Sequence, residues 1–386
     1  MTYPATPLRV LYASDVIPGP GGGGTIIAER HLGDLSAHGA AVSVVVPGET
    51  GALQARQPSW KCLSLPPRRW WWPPFRPARA SLANLHAACS RRALAGVTAK
   101  DAEVVVTICW GSTSWLAAEM AAAWRRPLVA IMHDWWAEVG GGDDGRIGAH
   151  VCKAARKILV VSEEMKAALA GFGPEKIDVL YPVPAHRTAP FVEWREEFSR
   201  VPVIAHVGAL HPYHADYLAM LARQLAPLGG RLLVLCPSGN PVLATLRARI
   251  NNLDCHDSFP TNAEAVSWIS RQATALTVMY PKGSAASGAA PTGFPSRFVE
   301  FAQLGLPVLL AAPAGNPIRS WAKRNDWKAQ LDPADEPAAH ALVGALTDRR
   351  GWEELAAATR MAAKGDFDPG RLHRQFAAAL QSTLAP

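Results

Sequence analysis

Between residues 50 and 100 the 386-residue chain has no aspartate or glutamate. The same stretch carries Arg56, Lys61, Arg68, Arg69, Arg76, Arg79, Arg91, Arg92 and Lys100, nine cations facing no acid. The formal net charge is only +7, so the rest of the chain is slightly acidic. A local cationic field attracts a polyanion: anionic lipid, a phosphorylated substrate or nucleic acid. The chain also lacks any apolar run of the roughly 18 residues needed to span a bilayer. Residues 8–17 are the apolar stretch nearest the start. They are broken by Arg9 and Asp15 and run into glycine, which reads as a first strand and not as a leader. Cysteine is sparse. Cys62, Cys89, Cys109, Cys152, Cys236 and Cys255 are scattered, with no Cys-x-x-Cys pair. That excludes the usual zinc-ribbon spacing and predicts a reduced, cytoplasmic protein without a structural metal. Charged residues make up 18% and apolar residues 49%, which excludes a disordered chain.

What is present is an alternation of strands and helices. Apolar runs at 8–13, 42–46, 104–108, 128–132 and 158–161 have strand length. Between them, 25–38 and 113–123 have helical spacing, and Ser162 is placed to cap a helix over 163–170. Tyr181-Pro182-Val183-Pro184 breaks the series. A second series follows, with strands at 203–207, 232–235, 276–279 and 308–311 and helices at 215–225, 241–250, 263–271 and 295–304. The length fits two domains. The spacing predicts an α/β chain of two doubly wound Rossmann-like domains with a cleft between them. The first covers residues 1–185, a linker 186–200 and the second 201–368; a last helix at 369–386 can pack back on the first domain. In such sheets ligands bind beyond the carboxyl ends of the strands.

Several clusters sit at those ends. Gly19-Pro20-Gly21-Gly22-Gly23-Gly24 lies between a strand and a helix, where glycines let backbone approach a phosphate closely. A dinucleotide reading is poorly matched, because no acid ends the next strand, Val44-Val45-Val46-Pro47. His133-Asp134 follows the strand at 128–132. Asp143-Asp144 falls in a glycine-rich stretch and reads as a solvated turn. Arg68-Arg69-Trp70-Trp71-Trp72-Pro73-Pro74-Phe75-Arg76 joins indoles to guanidinium groups. That combination suits a membrane interface or a surface that stacks on sugar, and equally a proline-fixed loop packed on its domain. Finally, Thr292-Gly293-Phe294-Pro295-Ser296-Arg297-Phe298-Val299-Glu300 leads into Gly305-Leu306-Pro307-Val308. Glu300 is the lone acid among Phe298, Val299, Phe301 and Leu304, and a carboxylate there needs a binding partner.

This last segment resembles the sugar-donor-binding segment of GT-B glycosyltransferases, especially glycosyltransferase family 4. The first glycine loop, the His-Asp strand end, the Ser162-Glu163 helix start and the His206-Val207-Gly208-Ala209-Leu210 turn resemble that family in the same order. The resemblance implies transfer of a sugar from a nucleotide-sugar, by a retaining, metal-independent, hexosyltransferase-like reaction. The nucleotide-sugar is a co-substrate and no cofactor is implied. The resemblance places Glu300, the second acid of the family's Glu, seven residues, Glu motif, on ribose. It places His133 near the transferred sugar as the other catalytic candidate. Gly208, His214, Gly293, Phe294, Ser296 and Arg297 join Glu300 on the sugar donor. Gly22, Gly23, Gly24 and Asp134 border the phosphate and the acceptor.

The sequence departs from the family pattern at three places: Thr292 stands for the first Glu, Ala209 for an Arg and His214 for a Lys. Losing the Arg and the Lys removes charge-assisted bonds of about 1.5–3 kcal/mol each. Arg297, His211, His214, Lys282 and the helix start near Ser296 are the replacements in reach. The expected partners are a nucleotide-sugar and a glycan, lipid-linked or small-molecule acceptor, with Arg68, Arg69, Trp70, Trp71, Trp72 and Arg76 as a peripheral contact with the inner membrane face. No nucleic-acid module is present. The rival reading is a catalytically degenerate GT-B module that binds a glycan or a partner subunit. A nicotinamide enzyme would need an unlike catalytic half instead of a second doubly wound one.

Overall fold

The computed structural model describes residues 7–65, 96–135, 143–281, 292–332 and 335–384. The chain forms two compact units, each built on one parallel sheet.

The first unit comprises the described parts of Met1–Val183, together with Thr292–Phe294 and Gly370–Pro386. Its elements run β1 (Arg9–Ala13), α1 (Gly23–Ala37), β2 (Ala41–Pro47), α2 (Gly51–Arg56), β3 (Lys61–Leu65), β4 (Val104–Ile108), α3 (Ser112–Trp124), β5 (Leu128–Met132), α4 (Asp143–Ala154), β6 (Lys157–Val160), α5 (Glu163–Ala168) and β7 (Ile177–Val179). The strands lie in the order β3-β2-β1-β4-β5-β6-β7, and every pairing is parallel. Such a sheet is covered on both faces, which is why β4 is buried along its length and β2 from Val42 to Val46, both rich in valine. The strand order turns back between β1 and β4, so the loops after those strands open at a topological switch point.

The second unit comprises the described parts of Pro184–Pro291 and Pro295–Pro369. It contains α6 (Glu197–Arg200), β8 (Val203–Val207), α7 (His214–Leu225), β9 (Arg231–Leu235), α8 (Val242–Arg249), β10 (Leu253–His256), α9 (Asn262–Gln272), β11 (Ala275–Met279), α10 (Ser296–Ala302), β12 (Val308–Ala311), α11 (Pro317–Arg324), α12 (Glu336–Ala345) and α13 (Arg349–Lys364). The sheet order is β10-β9-β8-β11-β12, again parallel throughout. Its switch point lies between β8 and β11.

Phe298 of α10 is fully buried. Its ring meets Trp321 and Trp327 edge-on at 5.2 Å each and Phe367 at 5.4 Å. With Val299 and Phe301 also buried, this aromatic nest fixes one face of α10. Arg297 and Glu300, three residues apart, are left one turn from each other on the opposite face.

Two sequence expectations change here. Residues 186–200 are not a free linker: Val192 N–H donates to Leu304 O at 2.9 Å. Trp194, Phe198 and Trp352 also stack within 5.6–5.9 Å of one another, so this segment is part of the second unit. Asp143-Asp144 does not form a turn but opens α4, whose Ile147, Val151 and Cys152 are buried at helical spacing. The closing helix α14 (Pro369–Ser382) places Leu372, Phe376, Ala377 and Leu380 in the core of the first unit, beside residues of β1, β2 and α1. Among the described residues no helix is long and apolar enough to cross a membrane, and the five described cysteines are free thiols.

Candidate functional site

In the first unit, the functional candidates gather at the carboxyl ends of β1, β4 and β5. Gly22 caps α1, and its carbonyl accepts from Thr25 Oγ1 at 2.7 Å and Thr25 N at 3.0 Å. The loop before it is pinned. Arg56 donates to Pro18 O at 3.0 Å and pairs with Glu29 at 3.0 Å. His133, just beyond β5, lies against the start of α1: a methyl group built on Gly24 would sit 3.3 Å from its Nδ1. Burial pushes the His133 imidazole down to about 4, so it is neutral at pH 7 and can accept or donate through its ring nitrogens without carrying charge. Asp134 beside it keeps an exposed side chain, and partial desolvation raises its carboxyl pKa. Behind β1, Asp15 accepts from Thr113 N at 2.7 Å and so caps α3 from another element. Its carboxylate fills the space beside Gly111, whose φ of +70° a side chain would strain.

In the second unit, the candidates gather after β8 and on α10. Gly208 has φ of +103°, and a methyl group on it would meet Arg297 Cζ at 3.2 Å. The glycine turn thus lies directly on the guanidinium group. Arg297 is half-buried, and desolvation lowers its pKa, but a guanidinium stays protonated at any physiological pH. Among the described residues, the neighbours that shift it are two phenols, Tyr280 and Tyr213, and no acid. Glu300, half-buried one turn further on, accepts from Asn262 Nδ2 at 2.8 Å. Ser296 opens α10 and is half-buried.

His214 takes a different place from the one the family resemblance implies. It is buried, its Nδ1 accepts from His211 N at 2.9 Å, and burial drives its pKa down to about 3. It therefore lends no positive charge to a diphosphate, which leaves Arg297 as the described cation beside the Gly208 turn. His206, fully buried in β8, is likewise held neutral by burial and by Arg297. The 292–300 segment is divided. Thr292 is buried and its carbonyl accepts from Ser162 Oγ at 2.5 Å. Phe294 packs on Tyr181 at 4.8 Å, so Gly293 and Phe294 group with the first unit, while Ser296, Arg297 and Glu300 belong to the second. Lys282 and the aromatic-cationic candidates Arg68, Arg69, Trp70, Trp71, Trp72 and Arg76 lie outside the described residues. Of the same basic stretch, Arg56 is paired with Glu29 and Lys61 with Asp101 at 2.9 Å. Asp15 and Asn262 went unnoticed in the sequence. Asp15 had a signal, being the acid just past the first strand; Asn262 had none.

Residues 21–183 match the family model described as Glycosyltransferase Family 4. No curated protein matches the chain by sequence. Among solved structures the chain is similar to HepE of Anabaena, crystallised with UDP and glucose, at 16% identity, TM-score 0.67, covering 97% of this chain and 100% of that one. It is similar to a glycosyltransferase of Rickettsia africae at 12% identity and TM-score 0.69, covering 98% and 99%. It is also similar to WaaG, a glycosyltransferase involved in lipopolysaccharide biosynthesis, at 15% identity and TM-score 0.63, covering 96% and 99%.

Proposed function

We propose that this chain, which has the GT-B fold and whose residues 21–183 match the Glycosyltransferase Family 4 model, is a glycosyltransferase that moves a sugar from a nucleoside-diphosphate-sugar to a glycan, lipid-linked or small-molecule acceptor. The observation that carries this reading is Arg297, a half-buried guanidinium pressed against the Gly208 turn that makes no ion pair with an acid among the described residues. A cation held in that state is matched by a dianionic ligand such as a diphosphate. Glu300, one helical turn away, accepts ribose hydroxyls. In the reaction Arg297 stabilises the charge that grows on the departing diphosphate. Neutral His133 holds hydroxyls of the transferred sugar, and Gly22, Gly23 and Gly24 border the acceptor. The transfer retains anomeric configuration and needs no metal, since the positive charge is supplied by the protein.

HepE binds UDP, and UDP-sugars head the panel that tests the assignment. Ligand binding raises unfolding midpoints, so a thermal-shift screen of UDP-, ADP- and GDP-sugars should give one responding class. That class should turn over when acceptors are supplied, with chelator present. No response to any nucleotide-sugar overturns the assignment. Response without sugar transfer or donor hydrolysis leaves a degenerate binding module, the reading that Thr292, Ala209 and His214 favour.

A further inference from the structure

We propose that Asn262 is a positioning residue: its side-chain amide sets the plane of the Glu300 carboxylate and thereby the preference of the second unit for a ribonucleotide. The inference rests on the reading of Glu300 as the ribose acceptor. Asn262 Nδ2 lies 2.8 Å from Glu300 Oε1, across 38 residues of sequence. Both ends of this bridge are rigid. Asn262 is the first residue of α9, and the start of α9 is locked by a reciprocal cap. Thr261 Oγ1 accepts from Glu264 N at 3.2 Å, and Glu264 Oε2 accepts from Thr261 N at 3.1 Å. Glu300 stands on α10, which Phe298 anchors in its aromatic nest.

The chemistry of the partner matters. A vicinal diol presents two O–H donors, and a carboxylate receives both only when its plane faces them. Glutamate has three rotatable bonds before that plane is set, and an N–H donor to one oxygen removes that freedom in advance. An amide does this without neutralising the carboxylate. A lysine or arginine at the same place would compete with the diol for the negative charge. Asn262 itself is exposed, so little of the fold depends on it.

Isothermal titration of the full chain with UDP, ADP and GDP, each beside its 2′,3′-dideoxy counterpart, tests the assignment. Asn262→Ala should weaken binding of the preferred ribonucleotide about tenfold, the loss of one charge-assisted hydrogen bond, and leave the dideoxy analogue unchanged. Asn262→Asp should weaken the ribonucleotide more, because a second carboxylate then faces Glu300. Glu300→Gln separates the two layers of the argument. If it lowers ribonucleotide affinity while Asn262→Ala does not, Asn262 has no positioning role and the ribose reading stands. If Glu300→Gln changes nothing, or if none of the three diphosphates binds, the ribose reading fails and this inference fails with it. Equal weakening of ribo and dideoxy ligands by Asn262→Ala assigns Asn262 to local structure only and overturns the proposal.

Discussion

The two sheets present opposite electrostatic characters at their carboxyl ends. After β1 and β5 the first unit places glycine backbone, an imidazole that stays neutral and the exposed carboxyl of Asp134. After β8 the second unit places a guanidinium pressed against Gly208. The same strand-loop-helix plan thus carries two kinds of side-chain chemistry. One end offers backbone, a neutral imidazole and a carboxyl, the other a fixed cation. The Arg and Lys that the family pattern puts in the turn after β8 are Ala209 and His214 here. The cation comes from α10 instead, one turn from the acid that α10 already carries.

Removing the cation should break this contrast most strongly. Arg297→Ala should weaken nucleoside diphosphate binding by about 3 kcal/mol, roughly a hundredfold, while the nucleoside alone binds as before. Calorimetry with the two ligands reads the difference; equal losses would place Arg297 away from the phosphates.

The neutrality of the histidines gives the next effect. His133 and His214 have folded pKa values of about 4 and about 3, below the ordinary 6.5, and His31 and His206 are lowered too. The unfolded chain therefore binds more protons than the folded one as pH falls below about 6.5. Stability is full above that pH and is withdrawn on acidification, by up to about 2 kcal/mol per such histidine between pH 7 and pH 5. Unfolding midpoints against pH should fall over this window, and His214→Asn should flatten the slope. A midpoint flat from pH 7 to pH 5 would contradict the burial of these rings in neutral form.

The glycines sharpen the contrast further. Gly208→Ala meets both a positive φ and the Arg297 guanidinium, and should cost about 1–3 kcal/mol of stability as well as diphosphate affinity. Gly24→Ala meets His133 at 3.3 Å and Val16 Cγ1 at 3.5 Å and should lower turnover with a stability change below about 1 kcal/mol. Gly22→Ala, with nothing within 4 Å of the added methyl group, should leave stability unchanged. Equal effects of Gly24→Ala and Gly22→Ala would show that the start of α1 does not hold His133.

The smallest expected effect concerns the basic stretch. Arg56 and Lys61 already pair with Glu29 and Asp101, so the remaining cations of residues 50–100 bear the attraction to an anionic surface. Sedimentation with anionic vesicles should show weak binding that falls but persists as salt rises, about 1 kcal/mol per engaged cation. Changing Trp70, Trp71 and Trp72 to Ser should remove the salt-resistant part. Protein left in the supernatant at low salt would make the segment a packed loop or a contact for a soluble acceptor.

The doubly wound architecture was legible because central strands such as Val104-Val105-Val106 are buried on both faces and read as unbroken apolar runs. The edge strands were not. Lys61-Cys62-Leu63-Ser64-Leu65 of β3 and Leu253-Asp254-Cys255-His256 of β10 are half-exposed and mix polar with apolar residues, so no periodic signal marks them. Among the site candidates, Glu300 and His133 stood out as polar groups in apolar or strand-end settings. The neutrality of His214 was hidden, because it depends on the backbone N–H of His211 and on burial that sequence does not display. The bond from Asn262 to Glu300 was equally hidden, since it joins two helices by tertiary packing alone. The assignment of 186–200 to a linker failed for a related reason. Its prolines and charges obscured Phe191, whose ring packs against Gly305, and Trp194 and Phe198, which stack on Trp352.

The helix α14 carries a consequence for the order in which the molecule is made. Leu372, Phe376, Ala377, Ala379 and Leu380 complete a core whose other members lie before residue 184. A nascent chain that has reached residue 369 possesses every segment of the second unit, yet still lacks one wall of the first. The unit synthesised first is therefore the one that finishes folding last, holding an unroofed apolar surface on the ribosome throughout synthesis of the other. A fragment ending at residue 183 would inherit that unroofed surface permanently, whereas residues 370–384 joined to it by a short linker would close it.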